Sequence, residues 1–317
     1  MPRFRLAAML ALLPCLAGAP ALRAQGTSHY HVVKRVVIGR VSADYIVVDQ
    51  AGRRLYGLGD KVFDVDRDTV VGSVKDGGGG YVIAADQNRG LVRNGVFFDL
   101  RTLAVTGRVD GMKADGILYD PVTHRGFTWE GKDTWVVDMT TGKLITKVTS
   151  MGEGLESGVA DGKGKLFMNV EEKGFVQRAD PKALKVDTVF HIAECKPPAQ
   201  GLSMDRGTRR LFMACDNGML IVNADNGRVV AKFPTSGRAD QNCFDSGAKV
   251  AFNPNRTDST LTVVHEDSPD KFTVVETVRT GGPSRACALD EKTHKVYLFY
   301  YEGSAPNRDL VLAVLAP

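Results

Sequence analysis

Cysteine and histidine are scarce in this chain of 317 residues, which holds five of the first and six of the second. No CxxCH or CxxC pair occurs, so covalent haem attachment and thioredoxin-type redox chemistry are excluded. No HxxxH or HExxH spacing occurs either. His29, His31, His124, His191, His265 and His294 are therefore read as ordinary strand and surface residues rather than zinc ligands. A GxSxG nucleophile elbow is missing. The glycine run at residues 77–80 (DGGGGY) lacks the GK[ST] ending of a phosphate-binding loop. It is read instead as backbone between the first two repeats that passes close to the central axis. No long stretch with a 3.6-residue apolar period exists, which argues against helical arrays.

The first two dozen residues are read apart from the rest. Arg3 and Arg5 precede a short apolar run, followed by small residues up to Ala24 and Gln25. That is the pattern of a secretory signal peptide over residues 1–24, with cleavage after Ala24 or Ala21. It leads to the expectation of an exported protein, periplasmic or secreted. No later apolar stretch is long enough to span a bilayer as a helix. Of the 41 basic residues, Arg3, Arg5 and Arg23 leave with the peptide and no acid does, so one basic residue remains in excess over the 37 acids. A near-neutral chain without a basic stripe lacks the electrostatic footprint of nucleic-acid binding.

What the sequence has is a sevenfold repeat. An aspartate ends a short apolar run at Asp49, Asp86, Asp120, Asp161, Asp205, Asp245 and Asp290, at spacings of 37, 34, 41, 44, 40 and 45 residues. After each anchor come a turn and a β-rich run such as RRLYGL, RGFTWE or RRLFMA. A third strand and often a fourth follow, as in TTGKLITKV and DNGRVVAKF. A period near forty with this content predicts an all-β, seven-bladed β-propeller of four-stranded antiparallel blades over residues 25–317. The orphan strand over residues 30–38 (YHVVKRVVI) precedes the first blade, and the last blade has only three strands of its own. The N-terminal strand is expected to complete the last blade and remove an unpaired edge.

The unit D-x(4)-RLY(V)…V-x-VID-x-x-TGKVV resembles that of the YVTN-repeat seven-bladed propellers, the YncE-like bacterial proteins. Asp120, Arg125, Gly126, Phe127, Trp135, Val136, Val137, Asp138, Thr141, Gly142 and Lys143 carry the pattern in blade three. Asp205, Arg210, Leu211, Phe212, Asn226, Gly227 and Arg228 carry it in blade five, and Asp290, Lys295, Val296 and Tyr297 in blade seven. Blade four departs with Arg178 at the third-strand aspartate, and blade six lacks the TGK turn. The GH and WD pairs of WD40 blades are absent. The resemblance covers essentially the whole exported chain and implies a non-catalytic propeller; the fold itself hosts many activities.

The anchor aspartates are read as turn residues that bond their own backbone. The candidate binding positions lie five residues upstream, at Asp44, Tyr81, Asp115, Glu156, Gln200, Asp240 and Arg285, around one mouth of the central tunnel. At least three carboxylates of Asp44, Asp115, Glu156 and Asp240 are expected to face one shared cavity. They form a candidate set for a hard cation, Ca2+ or Mg2+, and crowded carboxylates raise one another's pKa. Arg285 is expected to pair with an acid on a neighbouring blade. A disulfide is expected between Cys195 and Cys215, while Cys243 and Cys287 are expected as buried, unpaired thiols. The favoured function is a monomeric module that binds a small ligand, peptide or protein at this mouth. The alternative is a metal-assisted hydrolase, lactonase-like, with a carboxylate-lined centre. Quinone-dependent dehydrogenase activity is disfavoured, since neither repeated tryptophans nor a vicinal cysteine pair is present.

Overall fold

In the computed structural model, which describes residues 1, 29–237 and 239–317, the repeats form seven four-stranded antiparallel sheets. The signal-peptide reading falls, apart from Met1, outside the described residues. Blades one to six occupy residues 43–73, 81–108, 116–148, 155–191, 199–233 and 243–279. The seventh sheet holds Cys287–Asp290, Lys295–Glu302 and Asp309–Ala316, with the N-terminal strand His31–Gly39 outermost. His31 lies opposite Ala316 and Gly39 opposite Leu310, so the chain ends close the ring as expected. Tyr30 anchors this closure. Its ring is buried edge-on against Phe252, 4.9 Å away, and its hydroxyl donates to the His294 carbonyl at 3.1 Å. Among the described residues no helix is long and apolar enough to cross a membrane.

Side chains alternate between the two faces of each strand, so every blade buries both faces against its neighbours. Phe63, Tyr297, Phe299 and Leu312 fill the space between blades seven and one, and Phe252, Leu261 and Leu298 that between six and seven. Solvent reaches the outermost strands, where Val37, Val71, Ile145 and Val275 are exposed.

Six of the seven anchor aspartates accept main-chain N–H groups in the turn that follows. Asp49 takes those of Ala51 and Gly52 at 3.1 and 3.0 Å, and Asp245 those of Gly247 and Ala248, both at 2.9 Å. Asp120, Asp161, Asp205 and Asp290 act alike. In blade two the anchor sits in a short 3-10 turn, Ala85–Gln87, and Asp86 instead accepts the Tyr119 hydroxyl at 2.8 Å. The third strand has its own version of the device. In blade four Asp180, not the residue at Arg178, supplies it by accepting the Lys182 and Ala183 N–H groups at 2.8 and 2.9 Å.

The anchors also tie blades together. In five of the seven blades the residue four places after the anchor reaches back to the anchor of the preceding blade. Thus Arg53 pairs with Asp290, Arg209 with Asp161 at 3.3 Å, and Lys249 with Asp205 at 2.8 Å. His124 Nδ1 lies 2.9 Å from Asp86, and His294 Nδ1 lies 2.6 Å from the buried Asp245. These two histidines therefore belong to the seams between blades, a role beyond the ordinary surface residues expected of them. Burial alone would push the Asp290 carboxyl up, but Arg53, Thr293 and the Lys292 N–H together hold it below the ordinary carboxylate range.

Both disulfides lie in the second half of the ring. Cys195 and Cys215 are joined as expected, with Cα atoms 5.6 Å apart. Cys243 and Cys287 correct the expectation of free thiols: they too form a disulfide, with Cα atoms 6.1 Å apart. They begin the innermost strands of adjacent blades, six and seven. The radial geometry brings equivalent strands together although a whole repeat separates them in sequence.

Candidate functional site

The position five residues before each anchor lies within three residues of the start of an innermost strand, on one rim of the ring. Arg285, just before the first strand of blade seven, holds two acids. Its Nη1 is 2.8 Å from Asp240 of blade six and its Nη2 donates to Asp44 of blade one at 3.2 Å. Blades six and seven are also tied by main chain, where the Arg285 carbonyl accepts the N–H groups of Asp240 and Gln241 at 2.8 and 3.1 Å. The other Asp44 oxygen accepts from Arg93 Nη1 at 2.7 Å, and that nitrogen stands 4.0 Å from Asp115 of blade three. Charges thus alternate along the rim: Asp240, Arg285, Asp44, Arg93, Asp115.

Arg93 was not singled out in the sequence. It follows the second strand of blade two, Arg89–Val92, and the loops between second and third strands reach the same mouth as the strand-one entries. In the sequence it stands in the RGLVRN run, outside the register of the strand-one entries.

On the remaining arc acids outnumber cations. Glu156 of blade four is only 8% exposed and accepts a hydrogen bond from the Tyr45 hydroxyl of blade one. Burial pushes the Glu156 carboxyl up to about 8. The Tyr45 bond opposes this, while Asp115, Glu171 and Asp240 add to it. Burial also lifts Asp240, to about 6, against the pull of Arg285. Gln200 of blade five donates to Glu171 at 3.0 Å, and Glu171, raised mainly by burial, joins the acidic arc from the loop after the second strand of blade four. The Glu156 carbonyl accepts Trp129 Nε1 at 2.8 Å, an approach that requires Gly116, whose Cβ would lie 1.9 Å from that nitrogen.

Tyr81 does not present itself to the rim. Its ring turns into the apolar layer between blades one and two with Tyr56 and Phe98, and its hydroxyl donates to the Gly59 carbonyl at 2.7 Å. An aromatic ring gains more from burial there than from a wet mouth. The glycine run serves close packing. A Cβ on Gly79 would come within 3.0 Å of Asp44 Cβ, and one on Gly77 within 2.3 Å of the Tyr81 hydroxyl.

Behind the rim lies a cavity of about 320 Å³ along the axis, lined by innermost strands and including Tyr45, Glu156, Ser157, Gln241 and Asn242. It is crossed by side chains. Gln241 of blade six pairs with both main-chain groups of Ile46 in blade one, at 2.8 and 3.0 Å, and Ser157 of blade four donates to the Asp240 carbonyl at 3.0 Å. Two clefts open on the rim either side of Arg93, one with Lys113, Asp115 and Glu130, the other with Asp60 and the glycine run. The acids are therefore strung along the rim: Glu156 lines the axial cavity, Asp115 a separate cleft, and Asp44 and Asp240 are engaged by guanidinium groups. Among the described residues no three acidic, histidine or cysteine side chains stand close enough together to hold a metal ion. The fit of Asp44, Asp115, Glu156 and Asp240 to Ca2+ or Mg2+ is correspondingly poor.

No family model matches the chain, and no curated protein does. Solved structures match in fold. The structure of U3-55K aligns with a TM-score of 0.73 at 8% identity, covering 90% of this chain and 99% of that one. The crystal structure of RRP9 WD40 repeats aligns with a TM-score of 0.73 at 9% identity, covering 91% and 99%. A chain of the mitotic checkpoint complex aligns with a TM-score of 0.70 at 10% identity, covering 96% and 98%. At such identities the likeness is one of fold: the chain is a seven-bladed, WD40-like β-propeller.

Proposed function

We propose that this propeller is an exported binding module, periplasmic or secreted, of the YVTN-repeat kind, which recognises a peptide, protein or small ligand at the rim carrying Arg93 and Arg285. The observation that carries this reading is the alternation of Asp240, Arg285, Asp44, Arg93 and Asp115 around one mouth. Paired charges on a rigid scaffold give orientation and selectivity rather than raw attraction. The contacts from Gln241 to Ile46 and from Tyr45 to Glu156 cross the tunnel behind the rim, so a ligand meets a contoured surface with two clefts. The fold likeness to WD40 repeats is compatible with this reading and says nothing of the partner.

A hydrolase reading draws on one feature, the buried Glu156 acid with a carboxyl raised to about 8, the kind of group that serves general acid–base chemistry. The engagement of Asp44 and Asp240 by guanidinium groups favours binding over it.

Site-specific photo-crosslinking in the producing cells separates the faces. A benzophenone side chain at the exposed rim positions Lys113 or Glu153 is expected to yield discrete adducts that Arg93→Glu and Arg285→Glu abolish. The same probe at Lys163 or Glu291, in turns of the opposite face, is expected to yield none. Equal labelling from both faces, or adducts indifferent to the two arginines, would remove the rim from consideration.

A further inference from the structure

Away from the rim, the seam between blades five and six buries a carboxyl group with no donor to satisfy it. Glu266, in the third strand of blade six (Thr260–Ser268), is 4% exposed, and neither of its carboxyl oxygens makes a hydrogen bond, the neighbouring Thr208 hydroxyl being directed to Asp205 instead. Its neighbour is a second buried carboxylate, the anchor Asp205 of blade five, within hydrogen-bonding reach. Asp205 already accepts three hydrogen bonds, and its two oxygens leave room for a fourth. It accepts the Gly207 N–H at 2.7 Å, the Thr208 hydroxyl at 2.9 Å and Lys249 Nζ at 2.8 Å. An ionised Glu266 would set two buried negative charges side by side while the Lys249 ammonium pairs with Asp205 alone, which disfavours the charged form of Glu266. A proton on Glu266 removes one charge and creates the missing donor.

We propose that Glu266 is a carboxylic acid that donates its proton to Asp205 in a hydrogen bond, and that this shared proton latches blade five to blade six. The charged groups facing Glu266 are Asp205 from blade five and Lys249 from blade six. Arg210 reaches the same seam but is taken up by the Pro269 carbonyl at 2.6 Å, the Thr208 carbonyl at 2.8 Å and Asp270 at 3.2 Å. His265 and Asp267, on either side of Glu266 in the strand, pair with each other at 2.7 Å, and Asp267 also meets Lys271 at 3.5 Å. The electrostatics agree. Burial lifts the Glu266 carboxyl to about 7, Thr208 and Lys249 oppose this, and Asp205 adds to it, while Asp205 itself is held near 2 against its own burial. A carboxyl raised above its unfolded value contributes stability that is complete below the ordinary glutamate range and is lost as pH rises through about 7. The latch is therefore closed in mildly acidic surroundings and weakened above neutrality. This inference stands on the seam alone and does not depend on the rim reading.

Glu266→Gln tests it, because the amide N–H donates to Asp205 at every pH. The thermal midpoint of the unmodified protein is expected to fall relative to the variant as pH rises through 7, with the variant the more stable above it. Parallel curves would overturn the latch. The carboxylic-acid C=O stretch in the infrared gives an independent reading: the unmodified protein below pH 7 is expected to show a component that Glu266→Gln lacks, and its absence would equally overturn the proposal. Should Glu266→Gln not fold, Lys249→Met replaces it. Removing the ammonium is expected to carry that C=O component to higher pH, and an unmoved titration would refute the shared proton.

Discussion

Tyr45 of blade one donates its hydroxyl proton to the carboxyl group of Glu156 in blade four, across the mouth of the tunnel. The two residues are 111 positions apart and belong to blades that share no seam. Both are largely buried, on the wall of the axial cavity. Burial and the Glu156 charge together raise the tyrosine far above its ordinary value, while the tyrosine pulls Glu156 down against a larger opposing effect of burial. The bond thus serves the structure most when Glu156 is ionised.

Tyr45→Phe is expected to cost about 1–3 kcal/mol, because it leaves a buried acceptor without its donor. The cost grows with pH. Glu156 has its folded pKa raised to about 8, so its contribution to stability is complete below the ordinary glutamate range and is lost as pH rises through about 8. Urea unfolding of Tyr45→Phe and of the unmodified protein below and above that pH measures the difference. A pH-independent cost would mean that the hydroxyl does not serve the ionised acid.

Arg285→Met is expected to destabilise by about 2 kcal/mol, a value between that of a buried and a surface pair, since the guanidinium is partly exposed. Asp240, raised to about 6 even with Arg285 in place, becomes harder to ionise without it. The penalty should therefore be largest above pH 6 and shrink below it as Asp240 takes up a proton. Arg285→Lys should recover only part of the loss, because one ammonium group cannot span Asp44 and Asp240 as two guanidinium nitrogens do. Full rescue by lysine would show that charge, not geometry, is what the rim requires.

The repeat was legible because it depends on local chemistry. Alternating β-branched and aromatic residues, turn glycines and an aspartate at the end of each first strand mark out every blade, and the missing fourth strand of the last blade pointed to closure by the N-terminal strand. Relations between blades were not legible. Cys243 and Cys287 looked like separate core residues because only the ring geometry makes their strands neighbours. Tyr81 shared the register of the rim residues, yet its ring follows the apolar seam, since a position on the rim does not decide which way a side chain turns. Arg93 carries no mark in the repeat register because the rim is built from two sets of loops, and it belongs to the set after the second strand. The Glu266 acid left no periodic trace at all: its environment comes from Asp205, a repeat earlier in sequence.

Both disulfides should be formed without added oxidant, leaving none of Cys195, Cys215, Cys243 and Cys287 reactive toward a thiol reagent in the unfolded, unreduced protein. Cys243→Ala with Cys287→Ala is expected to cost about 2–5 kcal/mol. Chain entropy makes this bridge, closing 44 residues, worth roughly 0.7 kcal/mol more than the one closing 20. Denaturant midpoints of the two double variants give the comparison. Two reactive thiols in the double variant lacking Cys195 and Cys215 would place Cys243 and Cys287 back among the free cysteines.

The anchor aspartates offer a test of what a repeated residue means. Asp290 is fully buried, accepts the Lys292 N–H and the Thr293 hydroxyl in its own turn, and holds Arg53 of blade one. Asp86 occupies the same place in its repeat, but its side chain is 44% exposed and its partners are the side chains of Gln87, Tyr119 and His124. Asp290→Ala should cost about 3 kcal/mol, since it empties a turn and leaves the Arg53 guanidinium only its exposed partner Asp66 in the seam where the ring closes. Asp86→Ala should cost less than about 1 kcal/mol, as exposed pairs do. Equilibrium unfolding of both variants decides between two accounts of the repeat. Equal costs would mean that the aspartate is kept for a property of the isolated blade. The expected inequality would mean that its worth lies in the seam, where the blade before meets the blade after.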